Sequence, residues 1–195
     1  DSSGNAFSSA VTLQADGGGE AFGNITFVDS AAVDFDSSAS ANGDLYINAS
    51  TDGAVGGNLS VTATTGNITQ NVALAVTGTS TFITGADGSN IILGNSGNVF
   101  TAAVTMKADT GGNEAFGNIT FVDSAAVKLH SSASTGGDLF IDAGTDGAVG
   151  GDLSITATIG NITQGVALTI GGTSAFITSA DDADIILTTT TNAFT

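Results

Sequence analysis

A stretch of fourteen residues occurs twice in this chain without a single change, and it constrains the fold more than any other feature. It reads Glu-Ala-Phe-Gly-Asn-Ile-Thr-Phe-Val-Asp-Ser-Ala-Ala-Val and occupies Glu20–Val33 and again Glu114–Val127, 94 residues apart. Shorter phrases recur at the same distance, such as Gly66–Gln70 and Gly160–Gln164. A chain that consists of two long copies of one unit typically folds into an extended stack of repeats.

The repeat divides the 195 residues into units. We predict a first unit over residues 1–97, a second over 98–191 and the start of a third over 192–195, because Asn192–Thr195 repeats the pattern of Asn98–Thr101. The sequence shows no atypical capping segment, which a solenoid normally uses to protect its edge. We therefore expect one continuous solenoid whose units extend as a tandem array or stack end to end.

Apolar and polar residues alternate in short segments that are separated by glycine-rich turns. Val11–Leu13, Ile25–Phe27 and Leu59–Val61 show this period of two, which is typical of a strand with one buried face. Turn signals such as Asp16–Gly19 lie between them. No segment has the apolar spacing of a helix over three turns, so the sequence predicts an all-β fold.

Two all-β architectures compete for this pattern. The first is a parallel β-helix, or β-solenoid, with about four coils per 94-residue repeat. The second is a tandem pair of immunoglobulin-like β-sandwich domains of about 100 residues each. Strand starts spaced by 22 to 26 residues favour the β-helix, and they are Val11, Val33, Leu59, Phe82, Val104 and Val127.

The charge of the chain is strongly one-sided, because nineteen acidic residues face two lysines and no arginine, for a net charge of −17. Nothing in the sequence could neutralise the phosphates of a nucleic acid, so we exclude nucleic acid as a partner. The same argument excludes anionic membrane surfaces. No apolar run approaches the roughly 18–20 residues of a membrane span, and none is predicted.

Catalytic chemistry has little support in the sequence. The only histidine, His130, and Lys128 replace two aspartates of the first unit and fall on an alternating strand, where both are expected to face solvent. Parallel β-helices can carry polysaccharide lyases and hydrolases, whose sites need clustered acids together with a basic or nucleophilic partner. We therefore predict that the protein is not an enzyme and requires no cofactor.

Calcium is the one ion that the composition suits. The densest acidic cluster comprises Asp181, Asp182 and Asp184, and its counterpart in the first unit contains Asp87. Carboxylate oxygens are the ligands that Ca²⁺ prefers. These four aspartates are the candidate metal ligands, and the alternative is that they only solvate turns.

Six asparagines stand in the Asn-x-Ser/Thr pattern of N-glycosylation acceptors. They are also the residues expected beside threonine in strand turns, so chance occurrence is the alternative. The candidates are Asn24, Asn48, Asn58, Asn67, Asn118 and Asn161.

Several phrases resemble the repeats of giant bacterial surface proteins, namely the filamentous-haemagglutinin-like and β-strand-repeat proteins. These phrases are Leu59–Gln70, Thr77–Phe82, Asn90–Leu93 and Asn98–Thr105. The resemblance implies a right-handed parallel β-helix, export to the cell surface and a structural or adhesive role. Compared with the repeats of that family, the segment Ser37–Gly57 has the character of an added coil.

The function expected from repeat and resemblance together is structural. The chain is predicted to be a repeat segment of a secreted cell-surface filament or giant adhesin, with an extracellular location. Its expected partner is itself, through head-to-tail or lateral contacts. The alternative is an adhesive module that binds glycans or cell-surface proteins of a host.

Overall fold

The computed structural model describes residues 4–13, 23–38, 44–47, 53–108, 117–132, 136–141 and 147–195. These residues form short strands and no helix, and therefore no helix that is long and apolar enough to cross a membrane. The strands of the first half are β1 (Val11–Leu13), β2 (Ile25–Asp29), β3 (Val33–Phe35), β4 (Asp44–Ile47), β5 (Ala54–Val55), β6 (Leu59–Ala63), β7 (Ile68–Gln70), β8 (Ala75–Val76), β9 (Ser80–Thr84), β10 (Ile91–Leu93) and β11 (Val99–Phe100). Those of the second half are β12 (Val104–Lys107), β13 (Ile119–Asp123), β14 (Val127–Leu129), β15 (Asp138–Ile141), β16 (Ala148–Val149), β17 (Leu153–Ala157), β18 (Ile162–Gln164), β19 (Thr169–Ile170), β20 (Ser174–Thr178), β21 (Ile185–Ile186) and β22 (Ala193–Phe194).

Two large open sheets contain most of these strands. The first sheet has the order β1-β4-β3-β7-β10-β13-β17-β20, and the second has the order β2-β6-β9-β12-β15-β14-β18-β21. Every pairing among the described strands is parallel. The all-β prediction is thus confirmed. The parallel strands fit a β-solenoid, whereas an immunoglobulin-like sandwich would require antiparallel pairs.

Two short sheets lie on the connections between the large ones. The strands β5, β8 and β11 form one short sheet, and β16, β19 and β22 form the other. In the first half, β8 follows a strand of the first sheet and leads into the second sheet. In the second half, β19 follows a strand of the second sheet and leads into the first. In the first repeat the short sheet therefore lies on the connection from the first large sheet to the second. In the second repeat it lies on the connection from the second large sheet to the first.

Equivalent strands of the two repeats lie in opposite large sheets. The identical segments β2 and β13 belong to the second and the first sheet respectively, and β6 and β17 are exchanged in the same way. The cause is that β3 and β4 follow one another within one sheet, so the chain crosses between sheets an odd number of times per repeat. The second repeat is consequently turned by half a revolution about the stacking axis.

The strand β4 adds a layer out of chain order. It lies between β1 and β3, although it follows β3 in the sequence, and Leu45 pairs with both Val11 and Phe35. The equivalent strand β15 lies between β12 and β14 in the second sheet. The segment Ser37–Gly57, which we expected to be an added coil, thus supplies an added strand to the stack.

The interior is built from columns of like residues in successive layers. One column of the first sheet runs through Ile68, Ile91, Ile119 and Leu153, all of which are buried. Most outward positions of the same strands hold small or β-branched polar residues, as in Thr120 opposite Ser154, although Ile92 also faces outward. Alternation with a period of two therefore directs one face of each strand to the core. Burial of these apolar faces is the main stabilising term of the fold.

Glycines make room where layers approach most closely. Gly147 has a φ of +77°, and a Cβ atom built on it would lie 2.1 Å from the carbonyl oxygen of Ala167 in the next layer. Gly88 has a similar φ of +73°, but a Cβ atom there would meet nothing within 4 Å. Substitutions at both glycines meet the same backbone strain, but only a substitution at Gly147 also meets an atom of the next layer.

We predict that Gly147→Ala destabilises the protein more than Gly88→Ala. The left-handed conformation alone costs an alanine about 1–2 kcal/mol at either site. At Gly147 the collision with Ala167 adds roughly 1–3 kcal/mol of overpacking. Urea unfolding followed by circular dichroism measures both values, and equal losses for the two variants would show that this layer contact is not tight.

Candidate functional site: the polar joint between the repeats

The aspartates proposed as calcium ligands lie in two separate turns. Asp181 and Asp182 are exposed between β20 and β21, and Asp184 is exposed just before β21. Asp87 is exposed in the turn between β9 and β10, which belong to the other repeat. Within the described ranges, no three His, Cys, Asp or Glu side chains come together in a way that could hold a metal ion. Calcium binding stays a prediction.

Lys128 and His130 lie on and just after β14. Lys128 is exposed in the outward row, where its backbone pairs with Thr163 and with Asp138. The Nδ1 atom of His130 accepts a hydrogen bond from the backbone N–H of Ser132 at 3.3 Å. The contact of the histidine ring is thus a local turn contact two residues along the chain.

Several of the predicted acceptor asparagines lie in a ladder of turns that is hydrogen-bonded from layer to layer. The Oδ1 atom of Asn67 accepts the backbone N–H of Asn90 at 2.8 Å, and Asn90 accepts that of Asn118 at 2.7 Å. Asn118 accepts the N–H of Asp152 at 2.7 Å, and Asp152 accepts that of Thr173 at 2.7 Å. Each side chain thereby satisfies a backbone donor that the turn leaves without a strand partner.

The remaining asparagines repeat this arrangement. Asn24 accepts the backbone N–H of Asn58 at 2.8 Å, and Asn58 accepts that of Thr79 at 2.8 Å. Asn161 accepts the N–H of Asp184 at 2.8 Å. Asn48 lies outside the described residues. These amides have a structural task in the stack, and their glycosylation stays a prediction.

Asn98 lies at the boundary between the two repeats and is completely buried. We call the hydrogen-bonded cluster around it the joint, and Asn98 makes the most side-chain hydrogen bonds of the described residues in that cluster. Its Oδ1 accepts the backbone N–H of Leu74 at 2.9 Å and a hydrogen bond from the amide of Gln70. Its Nδ2 lies within donor distance of the carbonyl oxygens of Leu93 at 3.3 Å and Val122 at 3.2 Å, and of Gln70 Oε1 at 3.1 Å. Because Gln70, Leu74 and Leu93 precede Asn98 and Val122 lies in the second repeat, one side chain joins both repeats.

A buried carboxylate completes the joint. The Oδ1 of Asp123 accepts the backbone N–H of Phe100 at 3.1 Å, and the N–H of Ser124 bonds to the carbonyl of Asn98 at 2.9 Å. The rings of Phe100 and Phe121 have centroids 5.3 Å apart. Burial raises the pKa of the Asp123 carboxyl, although the N–H groups of Phe100 and Ser124 act in the opposite direction.

The same Asn-x-Phe segment occurs at both ends of the described chain, as Asn5–Phe7 and Asn192–Phe194. Asn5 makes the contacts that Asn98 makes toward the following repeat, with its Nδ2 3.3 Å from the carbonyl of Val28. Asn192 makes those toward the preceding strands, including the N–H of Leu168 at 2.9 Å. Each end thus carries one half of the joint.

An open groove of about 650 Å³ lies beside the joint, where the first short sheet ends at β11. Its floor and walls combine the exposed side chains of Val99 and Ala125 with polar groups at the rim. The lining residues are Val99, Phe100, Thr101, Ala125, Ala126, Val127, Lys128, Gly136, Gly137, Asn161 and Thr163. The aromatic ring among them, Phe100, is only 3% exposed, so it offers no stacking platform to a sugar.

The recurrence of the Asn-x-Phe segment is visible in the sequence, but its burial is not. The pattern predicts a unit boundary and does not by itself predict a buried polar cluster there. A signal that could have found the cluster is the pairing of each such asparagine with a glutamine 28 residues earlier, Gln70 for Asn98 and Gln164 for Asn192. A polar pair that recurs with the repeat period points to a contact between layers.

Comparison with known proteins identifies one family. The repeats of unknown function termed DUF5649 match residues 22–107 and 116–195. The two matches start 94 residues apart, in agreement with the sequence repeat. No curated protein and no solved structure matches the chain.

We predict that Asn98→Ala is far more destabilising than the matched change Asn192→Ala. The first variant leaves several buried groups without partners, which costs about 3 kcal/mol or more. At Asn192 the same groups are partly open to water, so the loss should be about 1 kcal/mol. Denaturant unfolding of both variants tests this, and similar losses would contradict a special role of the joint.

The two perturbed aspartates predict pH effects of opposite sign. The raised pKa of Asp123 gives stability that is present below the unfolded value near 3.8 and is lost as the pH rises through the folded pKa. Hydrogen bonds from Thr173 lower the pKa of Asp152, so its contribution is present above 3.8 and is lost as the pH falls through the folded pKa.

Asparagine substitutions separate these effects. From about pH 3 to 7, the unsubstituted chain should lose stability relative to Asp123→Asn and gain stability relative to Asp152→Asn. Asp152→Asn also restores the residue of the equivalent position, Asn58, and keeps the ladder acceptor. Unfolding midpoints measured across this range at low protein concentration give both differences, and slopes of the same sign would refute the assignment.

Proposed function

We propose that this chain, which belongs to the DUF5649 family of repeats of unknown function, is a structural segment of a secreted filament or giant adhesin on a bacterial surface. In this role the tandem repeats form a rigid β-solenoid rod with about four layers per repeat. The role requires no catalysis and no cofactor.

The observation that carries this proposal is the continuity of both large sheets across the repeat boundary. β9 of the first repeat pairs with β12, and β10 pairs with β13, each in parallel register. The boundary also holds a buried polar cluster around Asn98 in place of a flexible linker. Such a joint transmits force along the stack, because the repeats share backbone hydrogen bonds and a common core.

The surface composition supports an extended, solvent-exposed location. A net charge of −17 makes rods repel one another sideways, which keeps a long filament dispersed. The resemblance to filamentous-haemagglutinin-like repeats supports export to the cell surface. Both arguments bear on where the filament is located, whereas the continuous sheets bear on how its repeats are connected.

A second candidate function is an adhesive module, and the groove beside β11 is the observation that favours it. Its apolar wall at Val99 and Ala125 could contact a glycan or a protein of a host cell. The Val99→Asp variant should abolish retention on a glycan array or on host cells if the groove is the binding site. Unchanged retention of that variant would exclude the groove.

We predict that the rod lengthens by a fixed increment for each added repeat. Four layers spaced by about 4.8 Å give roughly 19 Å per repeat unit. Chains with two, four and six tandem repeats, measured by small-angle X-ray scattering, should show this increment at a constant cross-section.

Separate domains on a string would give a different result. Compact sandwich domains would add about 35–45 Å per unit, and the variance of the end-to-end distance would grow with each linker. That outcome would contradict the rod. Electron micrographs of the six-repeat chain provide an independent check of straightness.

A further inference from the structure

The groove beside the joint lies in the middle of the stack, with layers of the first repeat before it and layers of the second repeat after it. We propose that it binds an extended polypeptide segment that carries an apolar side chain and a carboxylate two residues apart. The apolar side chain contacts Val99 and Ala125, and the carboxylate contacts Lys128. This inference rests on the adhesive function given above as the second candidate, and it names the chemical class of the partner.

The groove is a step between connections of different length on one side of the stack. Three successive connections lead there from the first large sheet to the second. The connection from β10 to β12 covers residues 94–103 and includes β11, whereas the next two cover only residues 124–126 and 158–161. The long connection projects beyond the short ones. The floor of the step is therefore formed by Ala125 and Ala126, and both are exposed.

The edge of β11 that faces this step is not open to an added strand. Among the described strands, β11 pairs with β8 alone. On its other edge the backbone N–H of Phe100 already donates a hydrogen bond to Asp123 Oδ1 at 3.1 Å. A peptide that extends a sheet depends on such main-chain donors. The groove therefore recognises its partner through side chains.

The charge of the groove is opposite to that of the chain. Among the described residues that line it, Lys128 is the one charged side chain, although the chain has nineteen acids and two lysines. The equivalent residue of the first repeat is Asp34. Charges beyond the Debye length of about 8 Å at physiological ionic strength are largely screened, so the local lysine decides which group binds. The groove therefore complements an anionic group.

Two further differences between the repeats make the groove more apolar. Val99 is 44% exposed and stands where the other two Asn-x-Phe segments have alanine. Ile159 is 65% exposed and takes the place of Thr65. Its turn packs on the floor of the groove, because a Cβ atom on Gly160 would lie 3.0 Å from the Cβ atom of Ala126. Three differences between the repeats thus converge on one surface and give it an apolar part and a cationic part.

A polypeptide fits this surface better than a small molecule does. Small-molecule sites typically enclose about 70–90% of the ligand surface, which an open groove cannot do. An extended segment needs to contact the groove with one side only. Ala126 and Lys128 are two residues apart along β14 and its preceding turn, or about 6.6 Å in an extended chain. Side chains two residues apart on an extended partner have the same spacing, which sets the positions of its apolar side chain and its carboxylate.

A displayed peptide library tests the class of partner. The probes are peptides of about nine residues with valine, leucine, serine, aspartate or lysine at each odd position and serine at each even position. The net charge of −17 by itself attracts lysine-rich peptides. We expect instead that peptides with valine or leucine two residues from aspartate are enriched about tenfold over those with lysine at the second position. Enrichment of lysine-rich peptides, or of no class, overturns the proposal.

Variants of the two lysines locate the binding site. Lys128→Asp introduces the residue of the equivalent position, Asp34, and should remove the tenfold preference for aspartate. The matched control is Lys107→Asp, which changes the charge by the same amount on β12, outside the groove, and should keep that preference. Equal losses for the two variants would show that the peptides respond to net charge and not to the groove.

A third variant tests the apolar part. Val99→Ala with Ile159→Thr restores the residues of the other repeat, so it is compatible with the fold. It should reduce the enrichment of valine and leucine and leave the preference for aspartate over lysine unchanged. Urea unfolding midpoints confirm that each variant is folded. An unchanged preference for valine and leucine in a folded variant would overturn the apolar contact.

Retention on host cells separates this inference from the adhesive function on which it rests. If the unsubstituted chain is retained on cells but selects no peptide with an apolar residue and an aspartate, the class of partner is refuted and adhesion stands. If it is neither retained nor selective, both are refuted. Selection of the expected peptides that is lost in Lys128→Asp and kept in Lys107→Asp supports the proposal, whichever cell type is used.

Discussion

The structure depends on one constraint, which is that every layer must hydrogen-bond in parallel register with the layers above and below it. Parallel stacking places residues of successive layers directly over one another at a spacing of about 4.8 Å. A residue type that packs well against its own kind is therefore favoured at every position of a column. The isoleucine column through Ile68, Ile91 and Ile119 and the asparagine ladder that starts at Asn67 and Asn90 are two results of this single rule.

The polar ladders and the apolar columns perform different tasks. The apolar columns supply most of the free energy of folding, yet they tolerate a shift by two residues or by a whole layer, because isoleucine packs against leucine or valine almost equally well. A side-chain amide that must reach a particular backbone N–H does not tolerate a shift of one layer or one residue. Asn98 makes this point most clearly, since it is buried and its partners come from both repeats. The polar joint therefore fixes the register that the core alone leaves free.

The sequence predicts the fold class well and the candidate site poorly, for a physical reason. Alternation and repeat length report on the strand period and the number of layers, so the all-β class follows from local patterns, whereas the added segment at Ser37–Gly57 is expected only from the resemblance to known repeats. Equivalent strands of the two repeats lie in opposite sheets because β3 and β4 follow one another within the same sheet. No local sequence pattern shows where the chain stays in one sheet. The burial of Asn98 and Asp123 depends in the same way on contacts between residues far apart in the chain, such as the 28 positions that separate Asn98 from Gln70. The acidic turns at Asp87 and Asp181 stand out by composition, whereas the structure places its buried polar groups at the joint.

Because equivalent strands of the two repeats lie in opposite large sheets, residues that differ between the repeats also lie on opposite sides of the stack. Asp34 and Asp36 of the first repeat are replaced by Lys128 and His130 in the second, and these positions lie on or just after β3 of the first sheet and β14 of the second. The outward rows of the two large sheets therefore carry different charges at these equivalent positions, although the strands beneath them are equivalent. A longer array would present each outward position alternately on the two faces, with a period of two repeats and not one. A substitution that distinguishes neighbouring repeats then changes one face at a time, while the apolar columns and the polar cluster around Asn98 keep the sheets continuous.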